Sequence, residues 1–267
     1  MTKSLQTQLS KSLRDLHLPT FRENYHSQAV ISEKEGCSFA QYLLTLCEME
    51  VRDRRERRTQ RRRSQSKLPA GKTLSCFDRS RLPTSVDRQL ASLVEGDFLD
   101  RHENVLLFGR PGSGKTHLMC ALGHELILRD RTVFFTPCAL LVQRLLRVKA
   151  DLTLEKELKR LDKFEALLID DLGYVQQNRE EMEVLFTLLA HRYEHRSVLL
   201  TSNLVFSQWE RIFKDPMTTA AAVDRLVHHS VILELNLDSY RMETAKRSRQ
   251  KQSKESKETS EEQRPPA

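Results

Sequence analysis

A glycine-rich run that ends in a lysine–threonine pair, GRPGSGKT, lies at residues 109–116. Glycines let backbone N–H groups converge on phosphate oxygens, because no Cβ stands in the way. In such a loop Lys115 would reach the β- and γ-phosphates of a nucleotide, and the hydroxyl of Thr116 would ligate Mg²⁺. A glycine turn of purely structural use is the alternative. The predicted phosphate site consists of Gly109, Arg110, Pro111, Gly112, Ser113, Gly114, Lys115 and Thr116.

Two aspartates end the apolar run ALLIDD at residues 166–171. Carboxylates at the C-terminal end of a buried parallel strand face the ligand crevice. We expect Asp170 to hold Mg²⁺ through water, and Asp171 to orient or deprotonate the attacking water. Asp171, the second residue of this acid pair, has a shorter side chain than the glutamate that is usual at that position. An ordinary polar strand end is the alternative, since Gly173 follows.

The run SVLLTSN ends in another polar residue, Asn203. Its place on the strand after the acid pair predicts that its amide holds the attacking water against the γ-phosphate. Asparagine is also a common turn residue, and a plain turn is the alternative.

An arginine-rich run, VRDRRERRTQRRR, occupies residues 51–63 and contains eight arginines and two acidic residues. The whole chain has a formal net charge of +7, so its positive charge is unevenly distributed. A dense local cationic cluster favours a polyanion, and nucleic acid is the first hypothesis. A solvated helix face is the alternative. The candidate contacts are Arg57, Arg58, Arg61, Arg62 and Arg63.

The elements that must position these residues fall into two regions. Residues 1–64 are predicted to be a helical domain for DNA binding or oligomerisation, and residues 65–78 to be a linker containing Pro, Gly and Ser. An amphipathic helix is indicated by residues at spacings of three and four: Phe39, Leu43, Leu46, Met49 and Glu50.

Residues 79–245 alternate apolar runs with helical patterns. The runs are NVLLFG, TVFFTP, ALLIDD, SVLLTSN and VILEL. Strands that alternate with helices predict an α/β fold with a parallel sheet covered on both faces. Residues 246–267 lack apolar periodicity and are predicted to be disordered.

Composition excludes several classes of protein. No apolar run reaches the ~18 residues expected of a membrane span, and the N-terminus lacks the apolar core of a secretory signal. Five scattered cysteines without a C-x-x-C pair indicate reduced thiols in a cytoplasmic protein, with neither disulfides nor a metal site. Cys120 and Trp209 are expected in the core. His117, in the first turn of the helix after the phosphate loop, is expected to pack against neighbours or to cap the helix.

The order of phosphate loop, acid strand and polar strand tip resembles the AAA+ ATPases. FGRPGSGKTHLMCALG, LLIDDLGY and LLTSNLVFSQWERIF resemble the IstB-like helper ATPases of insertion-sequence transposition, relatives of the DnaC helicase loaders and the DnaA initiators. FAQYLLTLCEMEVRDRRERR resembles their opening helical domain, and KTLSCFD their domain-joining segment. The resemblance implies a P-loop AAA+ sheet with a small helical lid at about 207–230, with ATP and Mg²⁺ as ligands.

The same resemblance implies an activity and partners. Members of the family bind ATP, assemble into homo-oligomers on DNA, bend or remodel it, and recruit and activate a transposase. For this chain it implies ATP hydrolysis coupled to binding of duplex DNA, a cognate transposase as partner, and self-association into a ring or spiral.

Further residues gain roles only through the resemblance. Arg225 in AAVDRLVHHS would be an arginine finger that reaches the nucleotide of a neighbouring subunit, unless it forms a surface ion pair. Arg241 in SYRM would contact the γ-phosphate from its own subunit. Phe77 and Asp78 would flank the adenine, although the joining segment lacks the phenylalanine–proline pair common in relatives.

An extra helix between the second strand and the acid strand lines the DNA channel in the initiator and loader branch. The resemblance makes Arg144, Arg147 and Lys149 candidates for phosphate contacts, and a solvated amphipathic helix is the alternative.

Two other functions compete with the transposition helper. A helicase loader of the same branch would engage single strands, but the arginine-rich N-terminal helix favours DNA over a helicase partner. A metabolic P-loop kinase fits poorly, because it needs neither a basic arm nor an arginine on a distal helix.

Overall fold

The computed structural model describes residues 3–172, 179–205, 208–209, 216–237 and 239. The chain divides into two compact units, Met1–Arg62 and Arg63–Ala267. The predicted tail and parts of the predicted lid lie outside the described residues. Among the helices that are described, none is long and apolar enough to cross a membrane.

The first unit is helical, as the sequence predicts. Its helices are α1 (Lys3–Asp15), α2 (Pro19–Glu35) and α3 (Phe39–Ser66), the last of which runs past the division between the units. Proline suits the first turn of α2, because its fixed φ is helical and that turn needs no N–H donor. Gly36 ends α2 in the left-handed conformation, with a φ of 65°.

The N-terminus of α2 is capped by a carboxylate from α3. The preceding residue, Leu18, offers no side-chain cap. Instead Thr20 N donates to Glu50 Oε2 at 2.9 Å, and Arg54 Nε donates to Glu50 Oε1 at 2.7 Å. Burial alone would raise the pKa of the Glu50 carboxyl, but the hydrogen bonds from Arg54 and Thr20 lower it. Charge on Glu50 therefore holds two helices of this unit together.

The apolar face predicted for α3 is only partly buried. Leu46 is 2% exposed and Glu50 is 4% exposed, whereas Phe39 is 95% and Leu43 is 54% exposed. The face that the spacing marks is therefore buried at Leu46 and Glu50 and exposed at Phe39 and Leu43. Periodicity identifies a face of a helix, but not how far along it another element extends.

The second unit is built on a five-stranded sheet with the order β2-β3-β4-β1-β5. All four pairings are parallel, which confirms the predicted α/β class. The strands are β1 (Asn104–Gly109), β2 (Val133–Pro137), β3 (Ala166–Leu172), β4 (Ser197–Ser202) and β5 (Ser230–Leu235).

Helices and short 3₁₀ turns surround this sheet. The helices are α4 (Thr84–Glu95), α5 (Lys115–Leu128), α6 (Cys138–Ala150), α7 (Leu154–Leu161), α8 (Arg179–Arg192) and α9 (Pro216–Val227). The 3₁₀ turns are Leu74–Cys76, Arg79–Arg81 and Asp97–Leu99. Of the predicted lid at about 207–230, α9 is the helical part that the structure describes.

Side chains of each strand alternate between two apolar cores, because successive residues point to opposite faces of a sheet. In β1, Val105 and Leu107 join the core under α4 and α5, whereas Leu106 and Phe108 join the core under α6, α8 and α9. Cys120 in α5 is fully buried, which confirms its predicted place in the core.

The segment predicted as a linker, 65–78, packs within the second unit. His117 Nε2 lies 3.0 Å from the carbonyl oxygen of Thr73, and His124 Nε2 lies 3.1 Å from that of Pro69. Both histidines belong to α5, so the segment is held along the helix that follows the phosphate loop. His117 therefore packs and bonds as its position predicts.

Candidate functional site

The phosphate loop connects β1 to α5 through a backbone that two glycines permit. Gly112 and Gly114 have φ values of 82° and 97°, in the left-handed region that favours glycine. A Cβ at Gly112 would collide with the side chain of Ser239, and one at Gly114 would lie 3.1 Å from Phe77 Cε2. The glycine spacing of the motif thus matches places where the fold leaves no room for a side chain.

Lys115 begins α5 and turns its ammonium group back over the loop. Its side chain is buried, with 6% exposure. Lys115 Nζ donates to the carbonyl oxygens of Gly109 at 2.8 Å and Arg110 at 3.0 Å. These contacts place the positive charge at the N-terminus of α5, where backbone N–H groups also favour an anion.

A cavity of about 250 Å³ lies against this loop and is lined by residues of 72–81, 111–117, Asp171, Asn203 and Leu237. The loop and the tips of β3 and β4 therefore face one space. Ser113 Oγ and Asn203 Oδ1 are buried without a hydrogen-bond partner among the described residues. Buried polar atoms usually have partners, so these two fit a polar occupant such as a phosphate or its attacking water.

The acid pair sits on an irregularity of the sheet. The register between β3 and β4 shifts between Ile169 and Leu172. Asp171 has a φ of 63°, unusual for a residue with a Cβ, and its side chain lines the cavity. Asp170 is 8% exposed and lies outside the set of residues that line the cavity. The shift thus gives adjacent aspartates different environments.

Thr201 joins the two aspartates, a role that the sequence alone does not reveal. Its hydroxyl donates to Asp170 Oδ1 at 2.6 Å and accepts from Asp171 N at 2.9 Å. One side chain therefore fixes both the carboxylate of the first aspartate and the backbone of the second. The available signal is a hydroxyl residue near the end of the strand that precedes Asn203.

The oxygen donors of this site fit a magnesium ion in chemical type. Thr116, a residue with a hydroxyl group, lines the cavity, and Asp170 supplies a carboxylate at the end of β3. Hydroxyl and carboxylate oxygens are the hard ligands that Mg²⁺ prefers, with water completing its shell.

Of the two arginines predicted to act on the γ-phosphate, the structure describes only Arg225. Arg225 lies on α9, where Nη1 donates to Ala221 O at 3.1 Å and the guanidinium carbon lies 4.8 Å from the centre of the Phe186 ring. It is absent from the described residues that line the cavity. Arg241 lies outside the described residues.

The remaining predicted neighbours of the nucleotide lie close by. Phe77 and Asp78 both line the cavity. The Phe77 ring meets the His117 ring edge-on, with 5.2 Å between centroids. Trp209 is fully buried and its Nε1 donates to Leu204 O at 3.0 Å, which confirms its predicted role in the core.

The arginine-rich run lies on α3 and is largely exposed. Arg57 approaches Asp53 at 3.8 Å, a contact that is long and exposed on the arginine side. Ion pairs of this kind contribute little and leave the arginine able to bind phosphate. Of the candidate residues Arg62 is half-buried, and the others, Arg57, Arg58, Arg61 and Arg63, are exposed.

The basic candidates on α6 are partly neutralised. Arg144 Nε lies 2.7 Å from Glu157 Oε1, and Lys149 Nζ lies 2.9 Å from Glu183 Oε1. Arg147 is exposed. A second basic group, which the sequence pattern does not single out, is placed by α7 and the following loop around a cavity of about 350 Å³: Lys156, Lys159, Arg160 and Lys163.

Comparison with known proteins places this architecture in a family. Residues 11–248 match the family model of the IstB-like ATP binding proteins. The chain is 42% identical to an insertion sequence ATP-binding protein of Sinorhizobium fredii, over 90% of this chain and 81% of that protein. It is 36% identical to the IS21 ATP-binding protein of Pseudomonas aeruginosa, over 84% of this chain and 86% of that protein.

Solved structures show the same fold at lower identity. DnaA of Aquifex aeolicus bound to AMPPCP superposes with a TM-score of 0.52 and 19% identity, over 65% of this chain and 52% of that one. The DnaC helicase loader superposes with a TM-score of 0.51 and 15% identity, over 62% of this chain and 98% of that one. The second unit thus has the P-loop AAA+ fold of the DnaA and DnaC type, and over almost its whole length the chain belongs to the family of IstB-like ATP binding proteins.

Proposed function

We propose that the protein is a helper ATPase of insertion-sequence transposition, which binds duplex DNA under the control of ATP and recruits a partner transposase. One observation carries the ATPase part: the phosphate loop, Asp171 and Asn203 surround a single cavity. The sequence relatives, named as insertion sequence ATP-binding proteins, support the biological setting.

In the proposed reaction the triphosphate lies along the loop, and water attacks the γ-phosphorus while the bond to the bridging oxygen of ADP breaks. Lys115 balances the charge of the β- and γ-phosphates. Asn203 orients the water through its amide, and Asp171 accepts the water's proton. Mg²⁺, held by Thr116 and Asp170, would offset phosphate charge when bound.

The proposed site is completed by a second copy of the chain. Arg225 lies outside the cavity of its own chain, which suits a guanidinium that serves the nucleotide of a neighbour. Turnover would then require self-association, into a ring or a spiral. Arg241 is proposed to contact the γ-phosphate within its own subunit.

The DNA-binding part of the proposal rests on exposed positive charge in each unit. In the first unit the arginines of α3 form the basic surface, and in the second unit Arg147 and the lysines around α7 do so. Contacts of this kind are made with phosphates and carry little sequence information. We therefore propose duplex binding with weak sequence preference.

Nucleotide titration tests the ATP site. Lys115→Ala is expected to weaken ATP binding about 10- to 100-fold, since a charged hydrogen-bond donor contributes roughly 1.5–3 kcal/mol. Lys34→Ala is the matched control, because that lysine is exposed on α2 in the first unit and belongs to neither proposed site. Equal affinity of the Lys115→Ala and Lys34→Ala proteins would contradict the site.

DNA binding at fixed salt tests the function and separates it from helicase loading. Duplex and single strands are compared without nucleotide, with ADP, and with a non-hydrolysable ATP analogue. Duplex binding that tightens cooperatively with the analogue supports the transposition helper. A preference for single strands, or no DNA binding in any nucleotide state, would favour a loader that works through a helicase.

A further inference from the structure

A carboxylate and two imidazoles meet on the surface of the second unit. Donor atoms of Glu194, His228 and His229 all lie within 4.8 Å of one another, and the three side chains are exposed. None of the three lines the nucleotide cavity. The ATPase proposal therefore gives this cluster no role.

Two turns of the fold carry the cluster. Glu194 lies between α8 and β4, and His228 and His229 lie between α9 and β5. Since β4 and β5 both pair in parallel with β1, these turns meet beside the amino end of β1. The cluster thus lies at the amino ends of the strands, whereas Asp171 and Asn203 lie at the carboxyl ends.

One asparagine at the start of β1 bonds to the backbone beside both turns. Asn104 Oδ1 accepts from Val198 N at 2.8 Å, and Asn104 Nδ2 donates to Leu226 O at 3.1 Å. Asn104 N donates to His229 O at 2.7 Å. Glu194 has a φ of 59°, a conformation that costs energy and persists only where the surrounding structure imposes it. The three ligand-bearing residues are therefore positioned by the fold itself.

A tyrosine supports one of the imidazoles. Tyr193 Oη lies 3.1 Å from His228 Nδ1. Histidines that bind metals usually donate their other ring N–H to an oxygen, which fixes the ring and its tautomer. This contact supplies such an oxygen and leaves the second ring nitrogen of His228 to face a ligand.

We propose that Glu194, His228 and His229 form a binding site for a divalent transition-metal ion of the zinc type. Zinc binds both imidazole nitrogen and carboxylate oxygen, whereas softer metal ions select sulfur ligands and harder ones select oxygen ligands. Tetrahedral bonds of ~2.0–2.1 Å require donor atoms roughly 3.3 Å apart. The donor atoms lie within 4.8 Å of one another, so binding would require the exposed side chains to rotate closer together, and water would supply the fourth ligand.

A bound ion would join the turn that follows α8 to the turn that follows α9. The loop closed between Glu194 and His228 contains α9, which carries Arg225. A metal that binds the folded chain and not the unfolded one raises the melting temperature, and the rise grows with the logarithm of the free metal concentration once this exceeds Kd. The site is therefore expected to stabilise the element that presents Arg225.

Zinc binding to the full chain, without a polyhistidine tag and without nucleotide, tests the proposal. Isothermal titration with Zn²⁺ should give one site per chain whose affinity falls at least 10-fold in His228→Ala, in His229→Ala and in Glu194→Gln. Tyr193→Phe should lower it by about 10-fold, as loss of an outer hydrogen bond to a metal ligand does. Zn²⁺ should raise the Tm of the wild type but not of the His228→Ala, His229→Ala double variant.

His195→Ala is the matched control, because this histidine is exposed and lies in the same turn as Glu194. It should bind Zn²⁺ like the wild type. Cobalt(II) should show a spectrum of nitrogen and oxygen ligands, without the charge-transfer bands of the exposed thiols. Equal zinc affinity of the double variant and the wild type, or a cobalt spectrum with thiolate bands that survives the double substitution, would overturn the site. Circular dichroism checks that each variant is folded. If the double variant does not fold, the zinc affinity of Glu194→Gln decides the test.

Discussion

At the scale of residues, the geometry of the acid pair depends on one hydroxyl group. Thr201 Oγ1 donates to Asp170 and accepts from the backbone of Asp171, across the register shift of the two strands. Asp171 reaches the cavity because its backbone is held in a left-handed conformation. Thr201 thus acts through the aspartates as a positioning residue.

Replacement of that hydroxyl tests its role. Thr201→Val keeps the side-chain shape but leaves Asp171 N–H without its acceptor and Asp170 without its donor. We expect ATP turnover to fall about 10-fold or more, since a hydrogen bond to a charged group such as the Asp170 carboxylate contributes roughly 1.5–3 kcal/mol. Nucleotide affinity should stay close to that of the wild type, because the phosphate loop is untouched. Steady-state hydrolysis and nucleotide titration measure the two effects.

Thr201→Ser is the matched control for this change. It retains the hydroxyl and should retain most of the turnover. Turnover of the valine variant equal to that of the serine variant would show that the hydroxyl does not position the acids.

At the scale of elements, the first unit relies on a charged cap between two helices. The N-terminal N–H groups of a helix lack partners within it, and a carboxylate there also meets the positive end of the helix dipole. Glu50 of α3 serves this purpose for α2, because α2 has no side-chain cap of its own. A residue buried by the amphipathic pattern therefore contributes through charge rather than through apolar contact.

Removal of the cap should loosen α2 without affecting the sheet. Glu50→Ala is expected to destabilise the first unit by about 1–3 kcal/mol, because Thr20 N–H is left buried and unpaired. Hydrogen exchange of the α2 amides in the full chain measures this loss. Glu48→Ala, an exposed glutamate on the same helix, is the control and should leave exchange unchanged.

The effect of Glu50 should also depend on pH. Its pKa in the folded chain lies below the ordinary value of 4.5, so its stabilisation is present above that value. It is lost as the pH falls through the lower, folded pKa. The difference between wild type and Glu50→Ala should thus be full near neutral pH and disappear in strong acid. A difference that stays constant down to strong acid would mean that the charge of Glu50 contributes nothing.

Sequence alone predicts the sheet well because its strands are buried on both faces. Runs such as ALLI and VLLF have no polar side, a pattern typical of parallel strands under helices. The phosphate loop is predictable because its glycines are required by backbone geometry. Thr201 is not, because its role comes from a register shift between strands distant in sequence. The exposure of Phe39 is equally hidden, because periodicity does not reveal where a covering element ends.

At the scale of the whole molecule, the function that we propose requires surfaces of more than one element and more than one copy of the chain. The arginines of α3 supply a dense basic surface in the first unit. Neutralising Arg57, Arg58, Arg61, Arg62 and Arg63 to glutamine should weaken duplex binding for all sequences alike. The slope of log affinity against log salt should flatten by ~0.9 for each DNA phosphate that the variant no longer neutralises.

Binding isotherms over a range of salt concentrations measure that slope. Arg101→Gln is the control, because Arg101 is exposed and pairs with Glu103 outside the arginine-rich run. If the slope is the same in the control and in the five-residue variant, the arginine-rich run does not bind DNA and is only a solvated helix face.

Subunit sharing gives a second test at this scale. Arg225→Ala should spare ATP binding but stop turnover, and Asp171→Ala should do the same for a different reason. If the arginine serves a neighbour's nucleotide, a mixture of the two proteins should recover part of the turnover, because some interfaces pair an intact arginine with an intact acid. Mixtures with no more turnover than either protein alone would count against a shared site.

Lys115 carries a final consequence for how nucleotide affinity is interpreted. Its ammonium group is already bonded to the carbonyls of Gly109 and Arg110. An arriving triphosphate therefore exchanges one set of partners for another and does not meet an unbonded charge. The measured affinity is the difference between two bonded states, so the loss seen on removing the lysine is a lower bound on its attraction for phosphate. The carbonyl groups of the loop thus compete with an arriving phosphate for the same ammonium group.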